Sequence, residues 1–415
     1  MKRLSARPAI ALLTFVVGVA LVSAYLLLQQ NRQATPPCNT VEVATAPAPV
    51  AQATAKEETH DEAPQGPFVK VGELPDQEAG EGWDFSVAFV NESAGWLAKG
   101  AKLWRTGDGG ASWELVYSKG KASRSDPECI DDFRFTSPDE GWLLANSHLY
   151  RTRDGGRTWR SLDVPEVDGY LAAVDFLPGG KVGWLGGNVC GALRKDEWAA
   201  NRFHCSAASN TASFAAVFKT RDGGRTWQRE RVSRATGTIV RLRMRSARSG
   251  FATGQAGAFS YEGGRWLDAE SQLPDAPEWE RKSGEGCLEI AIGLPTYCPV
   301  SFHFNDEKHG WLSNANGYLG RTSDGGRTWT DIARAPDVGG IVDPPFFIDL
   351  YIGADGSGMA LDTDGDLQET SDGGVTWECV TERGSFKSMF ALDAERVWLV
   401  AADGLYRLKG STKSP

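Results

Sequence analysis

The chain has 415 residues, a formal net charge of −10, 48 glycines and 15 tryptophans. Residues 1–33 carry four cations and no acid, which leaves −14 on the remainder. A body this acidic is soluble and is a poor generic binder of nucleic acid.

In chain order, residues 1–8 carry Lys2, Arg3 and Arg7 and are expected in the cytoplasm. Residues 9–28 hold no charge, and 20 apolar residues span a bilayer core. Cations before that run, and none just after it, predict a transmembrane anchor with its N-terminus inside. The rival is a cleaved signal peptide ending near Val22-Ser-Ala24. The apolar run continues to Leu28, which favours the anchor. Residues 29–67 are rich in Ala, Pro, Thr, Gln and Glu, with too few large apolar residues to fold. As a flexible coil this linker spans roughly 30–40 Å.

From Phe68 to about residue 409 the chain repeats, leaving 410–415 as a tail. The hard core of the repeat is T-x-D-G-G-x-T/S-W, at Thr106–Trp113, Thr152–Trp159, Thr220–Trp227, Thr322–Trp329 and Thr370–Trp377. Five copies define the architecture before anything else is read. Asp108, Asp154, Asp222, Asp324 and Asp372 are expected to pin a turn by accepting backbone N–H groups a residue or two on. The paired glycines permit positive φ. Trp113, Trp159, Trp227, Trp329 and Trp377 then open the next strand and supply buried area. Upstream of most boxes stands Gly-Trp-Leu, at Gly95, Gly141, Gly183 and Gly310, preceded by an alternating strand such as Phe133-Arg-Phe135. Asn316-Gly317, Asp364-Gly365 and Asp403-Gly404 signal hairpins.

Each unit thus reads as four short antiparallel strands, and such units repeated radially make a β-propeller. The fourth unit has lost its Asp, keeping only Tyr261-Glu-Gly-Gly-Arg-Trp266. The seventh has three strands and no box. Phe68–Gly72 is the predicted fourth strand, which closes the ring without an open edge. The prediction is therefore an all-β propeller of seven four-stranded blades after one transmembrane helix. The degenerate fourth unit leaves six or eight blades as alternatives.

The box and its spacing resemble the Asp-box, or BNR, repeat of sialidases, sortilin-type receptors and photosystem II assembly factors. The order F-x-F, G-W, T-x-D-G-G-x-T-W is closest in style to the assembly factors. That resemblance implies a seven-bladed propeller whose boxes are structural and face the outer rim. It also implies help in forming membrane-protein complexes. The sialidase resemblance implies three arginines, a Tyr–Glu nucleophile pair and an Asp acid. That family's Arg-Ile-Pro ahead of the first box is missing, since residues 76–90 contain no arginine.

Other glycosidases need two facing carboxylates, and none of the 54 acids forms an evident pair. No Ser/His/Asp set stands out among the five histidines. Asp362-Thr-Asp364-Gly-Asp366 resembles a calcium loop, but its glycine sits at the fourth position and a plain turn is expected. No metal, cofactor or small-molecule substrate is expected. Cys190 with Cys205, and Cys287 with Cys298, bracket two insertions as disulfides of an oxidising compartment would. Cys38, Cys129 and Cys379 have no evident partner.

One charge cluster remains. Arg229, Arg231, Arg234, Arg241, Arg243, Arg245 and Arg248 crowd one stretch with Glu230 as the sole acid. Alternation along Arg241–Arg245 sends Leu242 and Met244 to one face and the three arginines to the other. Two readings follow: a docking patch for a protein partner with an acidic segment, or arginines paired with acids of neighbouring blades. The functional expectation is a membrane-tethered, extracytoplasmic interaction platform without catalysis. The alternatives are a sialidase-like glycoside hydrolase and a carbohydrate-binding or sortilin-like receptor.

Overall fold

The computed structural model describes residues 67–75, 85–118, 130–165, 168–192, 211–232, 237–254, 257–269, 299–314, 318–334, 347–381 and 386–409. The anchor at 9–28 and the linker, Pro67 excepted, lie outside these. Among the described residues no helix is long and apolar enough to cross a membrane.

Seven four-stranded antiparallel sheets follow one another along the chain. We call their strands a to d from the axis outward. At most seams the a strands of successive blades pack on one another, and that of blade 1 (Phe85–Phe89) meets that of blade 7 (Phe386–Ala391), so the ring is closed. Phe68–Gly72 is the d strand of blade 7 and pairs with Gly404–Leu408, Phe68 opposite Leu408. The predicted closure is therefore observed.

The repeated residues explain the repeated geometry. In blade 1 the Thr106 hydroxyl donates to Asp108 at 2.7 Å and accepts from the Gly110 N–H at 2.9 Å. Asp108 accepts from the Ser112 N–H and hydroxyl at 2.9 and 2.5 Å. The turn is thus pinned four residues beyond the Asp, a longer reach than the adjacent N–H groups expected from sequence. The reason is that both glycines sit at positive φ, 78° and 104°, and curl the chain back over the carboxylate. The Gly109 N–H is turned away to the Ser93 carbonyl in the a–b turn. The other four boxes repeat this network.

Gly-Trp-Leu is a second device, acting between blades. Its glycine lies under the Phe that ends strand a: a Cβ on Gly141 would stand 2.2 Å from Phe135. Its Trp is fully buried and reaches the next blade. Trp96 stacks on Phe135 (3.5 Å, 9°) and donates to the Gly155 carbonyl of the next box at 3.0 Å. Trp142 stacks on Phe176, and Trp398, in the Val-Trp-Leu of blade 7, on Phe89.

The two insertions differ. That of blade 3 begins as a ribbon: its b strand (Gly183–Ala192) and c strand (Thr211–Thr220) stay paired out to Ala192 opposite Thr211. Residues 270–298 lie outside the described residues. Two hairpin signals were misplaced. The loop of blade 7 is Ala402-Asp403, because Gly404 already pairs with Ala401. In blade 6 a five-residue loop, Asp362–Asp366, lies between the paired Leu361 and Leu367.

Candidate functional site

The box carboxylates are fully engaged. Hydrogen bonds from Ser112, Thr158, Thr226 and Thr376 hold Asp108, Asp154, Asp222 and Asp372 down at about 2. Asp324 is also lowered, by Thr328 and its turn against an opposing burial effect. These five are turn pins. The box tryptophans back them from neighbouring strands: Trp159 donates to Val116 O and Trp227 to Asp163 O, each in the preceding blade. Trp329 and Trp377 donate within their own boxes, and Trp113 only packs.

The arginine cluster is split among three environments. Arg243 sits on strand a of blade 4 (Ile239–Ser246) and reaches Asp132 of blade 2 at 3.5 Å. A contact that skips blade 3 has to cross the axial channel. Arg241 makes no ion pair among the described residues, but its charge is near enough to Asp349 of blade 6 to oppose the upward push of burial on that carboxyl. Arg245 leaves the axis, stacks over Phe304 of blade 5 at 3.9 Å and bonds Ser249. Arg229 and Arg231 lie exposed at the outer strand of blade 3, and Arg248 in the a–b turn of blade 4. Arg234 is outside the described residues. Leu242 and Met244 enter the core as the alternation predicted. The arginines do not form a single patch, because Asp132 of another blade holds Arg243, Arg245 packs on Phe304, and Arg229, Arg231 and Arg248 lie at the outer strand and in a turn.

Those channel acids share a further role. Asp132 accepts the Val174 N–H, Asp175 the Met244 N–H and Asp349 the Met389 N–H, in each case from the next blade. Arg134 pairs with Asp175 at 2.9 Å. His303 packs at a tilt against Tyr351 and is bonded to Asn305, and burial pushes its imidazole down, toward the neutral form. Among the described residues no group of three or more His, Cys, Asp or Glu is placed to hold a metal. Cys190 and Cys379 are disulfide-bonded; Cys205, Cys287 and Cys298 lie outside the described residues.

On the box-bearing rim, between blades 2 and 3, a cleft of about 680 Å³ opens over Trp159 and Leu162. Arg151, Arg153, Arg160, Lys181, Arg221 and Arg225 line it, with Asp222 as its one carboxylate. The cause is visible in neighbouring seams. Arg407 of blade 7 crosses to Glu92 in the a–b turn of blade 1 at 3.0 Å. Arg151 is its counterpart in blade 2, but the matching residue of blade 3 is Gly180. A side chain there would meet the Arg151 guanidinium at 2.7 Å. Arg151 instead folds back to Glu140 of its own blade at 2.5 Å. Likewise Arg157 of the second box pairs with Glu114 at 3.2 Å, whereas Arg225 of the third finds Arg160 in the corresponding place. The sequence reading missed this cleft. Its signal was two exceptions to the repeat, Gly180-Lys181 and Arg160.

A closed ring of seven four-stranded blades, five of them carrying one Asp-Gly-Gly turn, defines an Asp-box β-propeller. The likeness to photosystem II assembly factors holds in the fold. YCF48 bound to a D1 peptide superposes with a TM-score of 0.53 at 17% identity, over 83% of this chain and 97% of that one. YCF48 from Cyanidioschyzon merolae gives 0.52 at 18%, over 82% and 98%. The extracellular domain of a putative one component system, BT4673 from B. thetaiotaomicron, gives 0.52 at 11%, over 83% and 40%. No family model and no curated protein matches the chain.

Proposed function

We propose that this chain is a membrane-tethered, extracytoplasmic platform that binds a protein partner and catalyses no reaction itself. The observation that carries this reading is the state of the axial carboxylates. A glycosidase needs two carboxyl groups free to exchange protons or attack across a bound sugar. Asp132, Asp175 and Asp349 are instead committed to backbone N–H groups of the next blade, with Arg243 paired to the first and Arg134 to the second. They act as pins between blades.

The fold supports a protein partner, since YCF48 on the same architecture is seen with a peptide. The apolar run at 9–28 and its leading cations support the tether, with the N-terminus in the cytoplasm and the propeller outside. Disulfide bonding at Cys190 and Cys379 suits an oxidising compartment. The partner expected is a protein with an acidic segment; neither nucleic acid nor a cofactor enters the proposal.

Crosslinking of the full chain in intact membranes, followed by co-purification, tests the platform. A reproducible protein partner is expected, together with no turnover of aryl glycosides, a sialoside included. Turnover abolished by a single Asp or Glu substitution would overturn the proposal.

A further inference from the structure

We propose that the cleft between blades 2 and 3 is the docking site for an acidic peptide segment that carries an apolar side chain among its carboxylates. This rests on the platform reading and gives its partner a location. Arg153, Arg160, Lys181, Arg221 and Arg225 are exposed, and none has an ion-pair partner among the described residues. The seam between blades 7 and 1 places a glutamate against its arginine, and so does the seam between blades 1 and 2. This seam alone of the three gathers like charges. Water and salt screen part of their mutual repulsion, and an anion lying between them turns the rest into attraction.

The chemistry of the lining narrows the anion. Four of the five free cations are arginines, whose planar forks match carboxylates in pairs of parallel hydrogen bonds. Asp222, the only acid among the described lining residues, is held by Thr220, Thr226 and the turn N–H groups and forms no ion pair with them, so at most one of their charges is balanced. The floor is apolar. Trp159 has already spent its N–H on Val116, which leaves its ring as a contact surface beside Leu162. A bare polyanion has no use for that floor, whereas a peptide offering a Phe or Leu flanked by Glu or Asp uses both parts. The volume falls within the ~300–1,000 Å³ usual for ligand clefts.

The test uses the purified full chain and a short fluorescent peptide with one Phe set among glutamates, read by anisotropy. Saturable binding that weakens with salt is expected. Arg221→Glu with Arg225→Glu should lower affinity about tenfold or more. Arg221→Gln with Arg225→Gln should lower it less, and Arg407→Gln in the seam between blades 7 and 1 should leave it unchanged. A peptide with Ser in place of Phe should bind more weakly, and inorganic polyphosphate should not displace the Phe peptide at equal charge. Equal affinity in wild type and both double variants, or preference for polyphosphate, overturns the assignment. If the charge-reversed chain still captures the membrane partner, the platform stands and the cleft is the wrong place. If wild type captures none, the platform itself fails.

Discussion

The indole N–H of Trp398 donates to the Gly109 carbonyl at 3.2 Å, joining residues 289 positions apart. This bond closes the ring, because Trp398 belongs to blade 7 and Gly109 to the box of blade 1. Trp96 and Trp311 make the same bond to Gly155 and Gly373. Trp398→Phe keeps an aromatic ring on Phe89 but removes the donor and leaves a buried carbonyl unpaired. A loss of about 1–2 kcal/mol is expected in urea unfolding. Trp398→Ala should cost about 3–5 kcal/mol. Equal effects of the two would show that the bond contributes nothing.

Gly141 has no room for a methyl group. Phe135 stands 2.2 Å from its ideal Cβ and is itself stacked against Trp96 at 3.5 Å, so neither ring can retreat. Gly141→Ala should therefore destabilise by about 1–3 kcal/mol. Gly107 has nothing within 4 Å of its Cβ and no positive φ. Gly107→Ala is the control, and thermal unfolding should leave it within about 1 kcal/mol of wild type.

The box carboxylates predict an acid limit. Their folded values lie near 2, below the ordinary 3.8, because hydroxyl and backbone donors favour the charged form. A depressed carboxyl stabilises the fold above the unfolded value and loses that contribution as pH falls through the folded one. Stability should fall between about pH 4 and pH 2. In Asp154→Asn part of that slope should disappear, as followed by circular dichroism across the range.

Asp362 predicts the opposite sign. Burial raises its carboxyl to about 6, although the Asp364 and Asp366 N–H groups and Gln368 donate to it. The folded state holds this proton more tightly than the unfolded chain does. Asp362 therefore works against folding as pH rises from 3.8 to about 6, and fully above that. Asp362→Asn keeps the two backbone bonds, and Gln368 can rotate its amide to accept from the new N–H. A gain of about 2 kcal/mol is expected at pH 7 and none at pH 4. A loss at pH 7 would mean that the charge itself holds the loop.

Blade 4 replaces its missing box with a buried polar knot. Glu230 accepts from Tyr261 at 2.9 Å and from Trp266 at 2.8 Å, and stands 3.6 Å from Lys219. Lys219 also donates to Tyr261 at 2.7 Å and lies over the Trp184 ring. Burial pushes the Lys219 ammonium down, and Glu230 opposes this. Removing Glu230 strands the lysine. Glu230→Ala should cost about 3–5 kcal/mol, and Glu230→Ala with Lys219→Met should recover much of it.

These cases mark how far the sequence can be read. Strand order, blade number and the closing strand were legible because each box and each Gly-Trp-Leu fixes a turn or a strand of its own unit. Contacts between blades were not, since spacing does not tell which blade supplies a partner. Arg243 illustrates this: alternation put it on the face opposite Leu242 and Met244, but its partner Asp132 lies two blades away. Glu230, read as the lone acid in a basic run, is instead the centre of a buried cluster. Cys379, given no partner, is disulfide-bonded, and non-reducing peptide mapping will identify the cysteine it takes.

Pairing of Phe68 with Leu408 also sets a timetable. The strand that completes blade 7 is synthesised before any blade, and its partner emerges after all the others. Until then Phe68–Gly72 waits as an unpaired strand, and blade 7 exposes an open edge. Such late, distant pairing is slow to form and exposes the chain to aggregation. Six blades can assemble in order as the chain emerges, but none of them is locked in a ring until Gly404–Leu408 has arrived.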